Sequence, residues 1–240
     1  MSSVDLAVVV LCSVAGFTLQ GAVGYGMGIL GTPILILIDP RLVPGPVLAS
    51  TMVFTLMVTV RERRGIDLGG VGWALAGRVV GTLPAAALLA VLPQNQLSRV
   101  FGLIVIAAVA ISVSGVHVRP RPSTLLAGGV LSGLMGTVAA IGGPPIALLY
   151  QHASGEKFRG TLSGLFFVGT IISIAALVPA GRFGGPELRL TLFMLPGAVF
   201  GFLVSRRLAS RLDRGYTRPA ILAVAATAGF IVVVRSFVAP

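Results

Sequence analysis

Charged residues are scarce in this chain of 240 amino acids: Asp, Glu, Lys and Arg together account for 10% of positions, and hydrophobic residues for 55%. Water-soluble domains usually carry about 25% charged residues, so the shortage excludes a soluble globular protein. The apolar runs have roughly the length of a membrane-spanning helix, about 17 to 25 residues, and lack the strict alternation of a barrel strand. The composition therefore predicts an all-α integral membrane protein.

Cysteine is nearly absent as well. The single cysteine, Cys12, excludes an internal disulfide and any electron relay between two thiols. Enzyme motifs are also missing, because the sequence contains no H-E-x-x-H, no G-x-S-x-G and no Walker loop. The stretches GVLSG around Ser132 and GTLSG around Ser163 have the wrong spacing for a nucleophile turn. We therefore expect neither an enzyme nor a bound metal or cofactor.

Acidic residues number only 7 against 18 basic ones, which gives a formal net charge of +11. The basic residues stand in short tracts between apolar runs, a pattern that fits the positive-inside rule better than a nucleic-acid interface. Most of them fall in four tracts, RERRGID, HVRPRP, GEKFRG and SRRLASRLDRGYTR. These tracts are predicted to face the cytoplasm and both termini to be periplasmic. The predicted partner is the lipid bilayer and not nucleic acid.

Six apolar runs between helix breakers predict membrane spans, over residues 43–60, 68–92, 97–116, 161–178, 188–205 and 218–234. Two further regions, 6–38 and 124–152, are interrupted by glycine and proline in the middle. HVRPRP and GEKFRG flank the second region and are both assigned to the cytoplasm, so this region must enter and leave the membrane on the same face. The same reasoning makes the first region start and finish outside, so each region is predicted to be a broken, re-entrant hairpin.

The two halves of the chain resemble each other weakly. GTPILIL at Gly31 matches GGPPIAL at Gly142, STMVFTLM matches TLSGLFFV, and GRVVG in the first half matches GAVFG in the second. A hairpin followed by three spans gives an odd number of crossings. We therefore predict two inverted repeats, residues 1–118 and 119–240, each made of a broken or re-entrant helical hairpin plus three transmembrane helices.

Glycine and proline interrupt both hairpins at depth. Such a break is tolerated only where protein or a wet cavity surrounds the free backbone groups, and Thr32-Pro33 and Gly143-Pro144 have the residue types of helix starts. Two half-helix N-termini that face one cavity attract an anion. The letters VGYG in the tract QGAVGYGMGILGTP are not a potassium filter, because an apolar helix follows directly and the second half lacks them. We expect these glycines to form the apex of the first hairpin.

Arg78 falls inside a predicted span, where a charge costs at least about 2.5 to 3.5 kcal/mol. No acidic residue is predicted at that depth, so Arg78 suits an anionic substrate with donors facing two oxygens. The alternatives are that it snorkels along its helix or binds a backbone carbonyl. Together with polar and glycine residues of the hairpins, the predicted substrate-binding residues are Gln20, Gly24, Tyr25, Gly26, Thr32, Pro33, Ser50, Arg78, Gly142, Gly143, Pro144 and Ser163. Five other glycines are interpreted as sites of close helix packing: Gly16, Gly77, Gly81, Gly197 and Gly201.

The first half contains a glycine-rich helix that runs into GTPILILIDP, followed by RERRGIDL and GRVVGTLPAAALLAVLPQNQL. The second half contains similar stretches, GGPPIALLY, FRGTLSGLFFVG and GAVFGFLVSRRLASRL. Taken together, these stretches resemble the sulfite exporter TauE/SafE family of bacterial inner-membrane permeases. The resemblance implies a multi-pass secondary transporter, with export the favoured direction. Its implied substrates are small sulfur-containing or organic anions such as sulfite, sulfonates or sulfoacetate, held at the midplane between the two hairpin tips.

The residues themselves leave several alternatives open. Hairpins that meet at mid-depth can also build a channel for small solutes or ions. Protons are a candidate coupling ion, although the sequence shows no deep carboxylate to carry them, and facilitated diffusion would fit equally well. Assembly as a homodimer is also left open.

Overall fold

The structure is a computed structural model that describes residues 3–212. Within that range the chain forms nine α-helices, and no strand is found there. Their bounds are α1 Ser3–Val23, α2 Thr32–Ile38, α3 Gly45–Arg61, α4 Leu68–Val91, α5 Gln94–Val113, α6 Pro122–Ala139, α7 Gly143–Tyr150, α8 Gly155–Leu177 and α9 Gly185–Leu212. A π-helical turn, Met27–Gly31, leads into α2, and two 3-10 turns, Pro40–Leu42 and Arg63–Gly65, flank α3.

Five of these helices, α1, α4, α6, α8 and α9, are long and apolar enough to cross a membrane. This confirms the predicted class, an all-α membrane protein that crosses the bilayer several times. The predicted span over residues 218–234 lies outside the described residues. The repeat boundaries at residues 118 and 119 stay a prediction.

The first broken hairpin reverses direction at residues 24–26. Gly24 has a φ of +93°, a backbone conformation that glycine adopts without steric cost. The following segment runs back along α1: the Cys12 thiol lies 3.7 Å from the Gly31 carbonyl oxygen, and Gly16 packs on Met27. The VGYG glycines therefore form the apex of the hairpin, as the sequence predicts.

The second broken hairpin reverses at residues 140–142, with Ala140 in the left-handed conformation at a φ of 57°. Its two ends finish on the same side of the molecule. The rings of His117, before α6, and His152, after α7, stack with centroids 5.1 Å apart, and the Gln151 side chain donates to the Val116 carbonyl at 3.0 Å. This placement agrees with the parity argument made from the basic tracts.

An α-helix begins at Thr32-Pro33 as predicted, but it continues the π turn before it, so the predicted free helix start capped by Thr32 is wrong. The helix of the returning arm already begins at Met27 and continues through the π turn into α2, so Thr32 lies inside a helix and caps nothing. Its hydroxyl has no hydrogen-bond partner. A π turn places its hydrogen bonds five residues apart, as in the bond from the Thr32 N–H to the Met27 carbonyl. This widened turn accommodates Pro33, which has no N–H to donate.

Glycines bring two pairs of long helices into backbone contact. On α4, Gly77 and Gly81 face the backbone of α6, and on α9, Gly197 and Gly201 face the backbone of α1. A Cβ at any of these four positions would overlap atoms of the facing helix. The interpretation of these glycines as packing positions is confirmed, and α4–α6 and α1–α9 are the two closely packed helix pairs that they join.

A pair of alanine substitutions on α4 tests this contact. Gly81→Ala would press a methyl group onto the Val130 carbonyl, whereas Gly72 has nothing within 4 Å of an added Cβ. We expect Gly81→Ala to destabilise the protein by about 1 to 3 kcal/mol and Gly72→Ala to be neutral or to stabilise slightly through helix propensity. The measurement is the Tm of the purified protein in detergent. Equal Tm values for the two variants would contradict the packing.

Residues of the basic tracts predicted to be cytoplasmic, as far as residues 3–212 describe them, meet at one end of the molecule. Arg61 at the end of α3 donates to Ser205 at 3.3 Å, and Arg159 at the start of α8 lies 3.5 Å from Glu62. At the opposite end Arg182 donates to the Leu89 and Leu92 carbonyls, at 2.8 and 2.6 Å, and so caps the end of α4. The grouping agrees with the positive-inside reading.

Asp67 ties α4 to the second hairpin and to α8 at the end where the basic tracts meet. Its carboxylate accepts the Gly70 N–H at 3.0 Å and the Tyr150 hydroxyl at 3.1 Å, and Lys157 lies 3.6 Å away. Its own N–H donates to Thr161 at 3.0 Å. The Gly70 N–H above all, and then Tyr150 and Lys157, hold the pKa of Asp67 below its ordinary value against the effect of burial.

The lowered pKa of Asp67 predicts a pH-dependent contribution to stability. The contribution is present above the ordinary aspartate pKa of about 4 and is lost as pH falls through the lowered folded value. We expect Asp67→Ala to have a lower Tm than the wild type near neutral pH, and the difference to shrink below about pH 3. Thermal unfolding at both pH values checks this, and a difference that does not depend on pH would contradict it.

Candidate functional site

The two hairpin tips meet each other in the interior. Tyr25 of the first tip packs on Gly143 of the second, and Gly28 packs on the carbonyl of Ala140. Beside this contact lies a cavity of about 30 Å³, room for roughly two water molecules. Both tips and the helices α1, α3, α4, α6 and α8 form its wall. The lining residues are Gln20, Tyr25, Gly26, Gly28, Ile29, Leu48, Thr51, Arg78, Gly136, Ala140, Ile141, Gly142, Gly143, Pro144, Phe166 and Thr170.

Arg78 supplies the charge of this cavity. It lies near the middle of α4 and its residue is only 2% exposed, which rules out snorkelling. Its Nη1 donates to the Ser132 hydroxyl at 2.9 Å and its Nη2 to the Ser173 hydroxyl at 3.4 Å. The guanidinium carbon stands 6.0 Å from the centre of the Phe166 ring, while Nε has no hydrogen-bond partner.

Hydroxyl groups connect Arg78 to its surroundings in two directions. Ser132 donates to the Gly142 carbonyl at 2.7 Å, and this bond joins α6 to the second tip. On the other side the hydroxyls of Ser173 and Thr137 are 2.8 Å apart, and those of Thr137 and Thr82 are 3.1 Å apart. The guanidinium is therefore held by neutral oxygens, and no ion pair with it is found between residues 3 and 212.

Three glycines leave room for the Arg78 guanidinium. A Cβ at Gly136 would lie 3.0 Å from Nη2, one at Gly142 would lie 2.9 Å from Nη1, and one at Gly169 would overlap Nε. These glycines come from α6, the second tip and α8. The small residues in this region thus serve the side chain of Arg78 as well as helix packing.

Residues of the first turn after the first tip lie at the cavity wall. The Gln20 side-chain oxygen accepts the Met27 N–H at 3.2 Å. Gly28 and Ile29 follow in the first turn of the helix and line the cavity; N–H groups in a first turn have no acceptor within their own helix.

The second tip differs because two prolines open its helix. Gly143 is followed by Pro144 and Pro145, and proline has no N–H. The first turn of α7 therefore brings its dipole and the N–H of Gly143, while the two prolines add no donor.

Seven of the twelve predicted site residues line the cavity: Gln20, Tyr25, Gly26, Arg78, Gly142, Gly143 and Pro144. Gly24 instead makes the turn and packs on Phe158. Thr32 and Pro33 lie inside the helix that returns from the first tip. Ser50 donates to the carbonyls of its own helix, at 2.9 and 3.1 Å, and Ser163 is buried away from the cavity.

Sequence reasoning missed several residues that the structure brings to the cavity or to Arg78. Phe166 and Thr170 of α8 line the cavity. Thr51 lines it as well; it is one of the hydroxyl residues after the hairpins that the sequence allows to face the cavity, although only its neighbour Ser50 is among the predicted site residues. Ser132 was weighed only as a nucleophile, in GVLSG. Its position ten residues before Gly142, at the distance of a hairpin return, is the signal that identifies it as a partner of the second tip.

Chemically, this arrangement is suited to holding an anion and not to transforming one. The cavity wall carries one cation and no carboxylate, and no cluster of metal-ligating side chains is found in the described part of the chain. A multi-pass helical protein with a buried cation near the middle of a long apolar helix, beside the tips of two broken hairpins, has the architecture of a membrane transporter.

Sequence comparison is consistent with this class. The chain belongs to the sulfite exporter TauE/SafE family, whose sequence profile matches residues 8–232. It is therefore a member of a family of membrane transporters. No curated protein sequence and no solved structure matches it significantly.

Proposed function

We propose that this protein is a secondary transporter that moves a small sulfur-containing or organic anion, such as sulfite or a sulfonate, across the bacterial inner membrane. The anion binds in the cavity beside the two hairpin tips, where Arg78 supplies the positive charge. Export is the direction that an inside-negative membrane potential favours, by about 2.3 kcal/mol per charge per 100 mV.

The observation that carries the proposal is the burial of Arg78 without an acidic partner in the described structure. Removing a cation from water costs several kcal/mol even after relaxation, and serine hydroxyls offset only part of that cost. An anion in the cavity would neutralise the charge of the guanidinium and accept hydrogen bonds from N–H groups of the first tip. The small volume of the cavity suits a compact oxyanion group. A larger anion would fit only if the cavity walls moved.

The positions of the two hairpins support a carrier more than a fixed pore. The tips are in direct contact, and the first hairpin opens toward the end of the molecule where Arg41 and Arg189 lie, beside the start of α9. The second hairpin opens toward the opposite end, where Tyr150 meets Asp67. Two elements that meet at mid-depth from opposite ends provide the alternating barrier that a carrier needs.

Counterflow in proteoliposomes tests the proposal. Vesicles containing the purified full chain are loaded with unlabelled sulfite, and uptake of radiolabelled sulfite from outside is followed over time, with protein-free vesicles as the control. A carrier gives transient accumulation of label that saturates with sulfite concentration. Flux that does not saturate, or single-channel currents in planar bilayers, would show a channel, and no protein-dependent flux of sulfite or methanesulfonate would overturn the proposal.

A further inference from the structure

Ser132 occupies a special place beside Arg78. Its hydroxyl accepts a hydrogen bond from Arg78 Nη1 at 2.9 Å and donates one to the Gly142 carbonyl at 2.7 Å. A serine hydroxyl has one hydrogen to donate and lone pairs to accept, so this pair of bonds fixes its orientation. The residue is fully buried and is not part of the cavity wall.

No other side chain in the described structure joins Arg78 to a hairpin tip. Ser173 also accepts from the guanidinium, but at 3.4 Å, and its own partners are the Gly169 carbonyl and Thr137, which belong to α8 and α6. The short bond of Ser132 therefore sets where the guanidinium points, and the second bond sets where Gly142 lies relative to it.

We propose that Ser132 is a positioning residue of the anion site: it holds the Arg78 guanidinium against the second hairpin tip without contacting the anion. This inference rests on the proposed function, because it assigns a role in binding the transported anion. When the hydroxyl is lost, Arg78 keeps its charge but loses its orientation, and the anion has to order it on binding. A bond of this kind to a charged group is strong enough to change affinity roughly tenfold.

The experiment compares two variants of Ser132 with a matched control. Ser132→Ala removes the hydroxyl and leaves a small void, while Ser132→Cys fills almost the same volume with a thiol, a weak hydrogen-bonding group. Ser13→Ala is the control, because Ser13 is also a fully buried serine of a long helix but bonds only to the Val9 carbonyl of its own helix, at 2.7 Å. KM and kcat are measured by radiolabelled sulfite counterflow, and Tm checks folding.

We expect both Ser132 variants to raise KM for sulfite roughly tenfold, with kcat changed much less and Tm close to that of the wild type. The control should keep the wild-type KM. A wild-type KM in Ser132→Cys together with a raised KM in Ser132→Ala would show that Ser132 only fills space, and wild-type values in both would equally overturn its role. A wild-type protein that shows no saturable sulfite or methanesulfonate flux would instead overturn the proposed function, and the role of Ser132 with it.

Discussion

Arg78→Ala is expected to lose at least about 100-fold in kcat/KM for sulfite counterflow. The substitution removes the cation of the cavity and two charge-assisted donors, each worth about 1.5 to 3 kcal/mol when its partner is buried, and a loss of about 3 kcal/mol corresponds to roughly 100-fold. Folding should survive, because the substitution also removes a buried charge that has no ion-pair partner between residues 3 and 212.

Two further variants separate charge from geometry. Arg78→Lys keeps the charge, but a lysine ammonium lacks the planar fork that reaches Ser132 and Ser173 together, so we expect an activity between those of alanine and wild type. Arg182→Ala is the matched control. Arg182 is also bound to neutral oxygens, the Leu89 and Leu92 carbonyls at the end of α4, but lies away from the cavity. It should lower Tm and leave KM unchanged, whereas a wild-type KM in Arg78→Ala would remove Arg78 from the site.

Much of the architecture was predictable because it depends on the count and placement of charges. The basic tracts alone require region 124–152 to return to its own face, and the structure shows the return through the His117–His152 contact. Close packing at Gly77 and Gly81 was predictable for a similar reason, since small residues one helical turn apart make a continuous flat strip. These are regularities that extend over many residues.

The finer placement of the site depends on rotations that the sequence does not specify. Ser50 and Thr51 are neighbours, yet about 100° of helix rotation separates their side chains, and only Thr51 reaches the cavity. Transmembrane helices are apolar nearly all round, so no amphipathic pattern indicates which side faces inward. The π turn before Thr32 was equally invisible, because it arises from how the returning arm packs beside α1 and not from a local residue preference.

The two halves of the predicted repeat differ at the position of the buried charge. The match of GRVVG with GAVFG places Ala198 of α9 at the position of Arg78 on α4, and Ala198 is fully buried. The second pair of packed helices therefore supplies no equivalent cation. If the two halves are inverted repeats as predicted, the buried cation lies on the side of α4, α6 and α8 and has no counterpart at the matching position of α9.

Gly169→Ala is the sharpest test of whether Arg78 must lie where the structure has it. A Cβ at Gly169 would stand 2.7 Å from the Arg78 guanidinium carbon and closer still to Nε. An added methyl group therefore has to displace the guanidinium from its hydrogen bonds to Ser132 and Ser173. We expect transport to fall roughly 5- to 150-fold, since overpacking of this kind costs about 1 to 3 kcal/mol and here displaces the charged group itself.

Gly164→Ala is the matched control on the same helix. An added Cβ at Gly164 meets only the side chain of Ile66, at 3.6 Å, an ordinary van der Waals distance. Both substitutions raise the helix propensity of α8 by about 1 kcal/mol, so propensity cancels between them and the remaining difference reports the contact with Arg78. We expect Gly164→Ala to transport sulfite within about twofold of the wild type, because nothing in its surroundings has to move. If both variants transport equally well, Arg78 does not need its observed position, and an anion site built on its guanidinium is wrong.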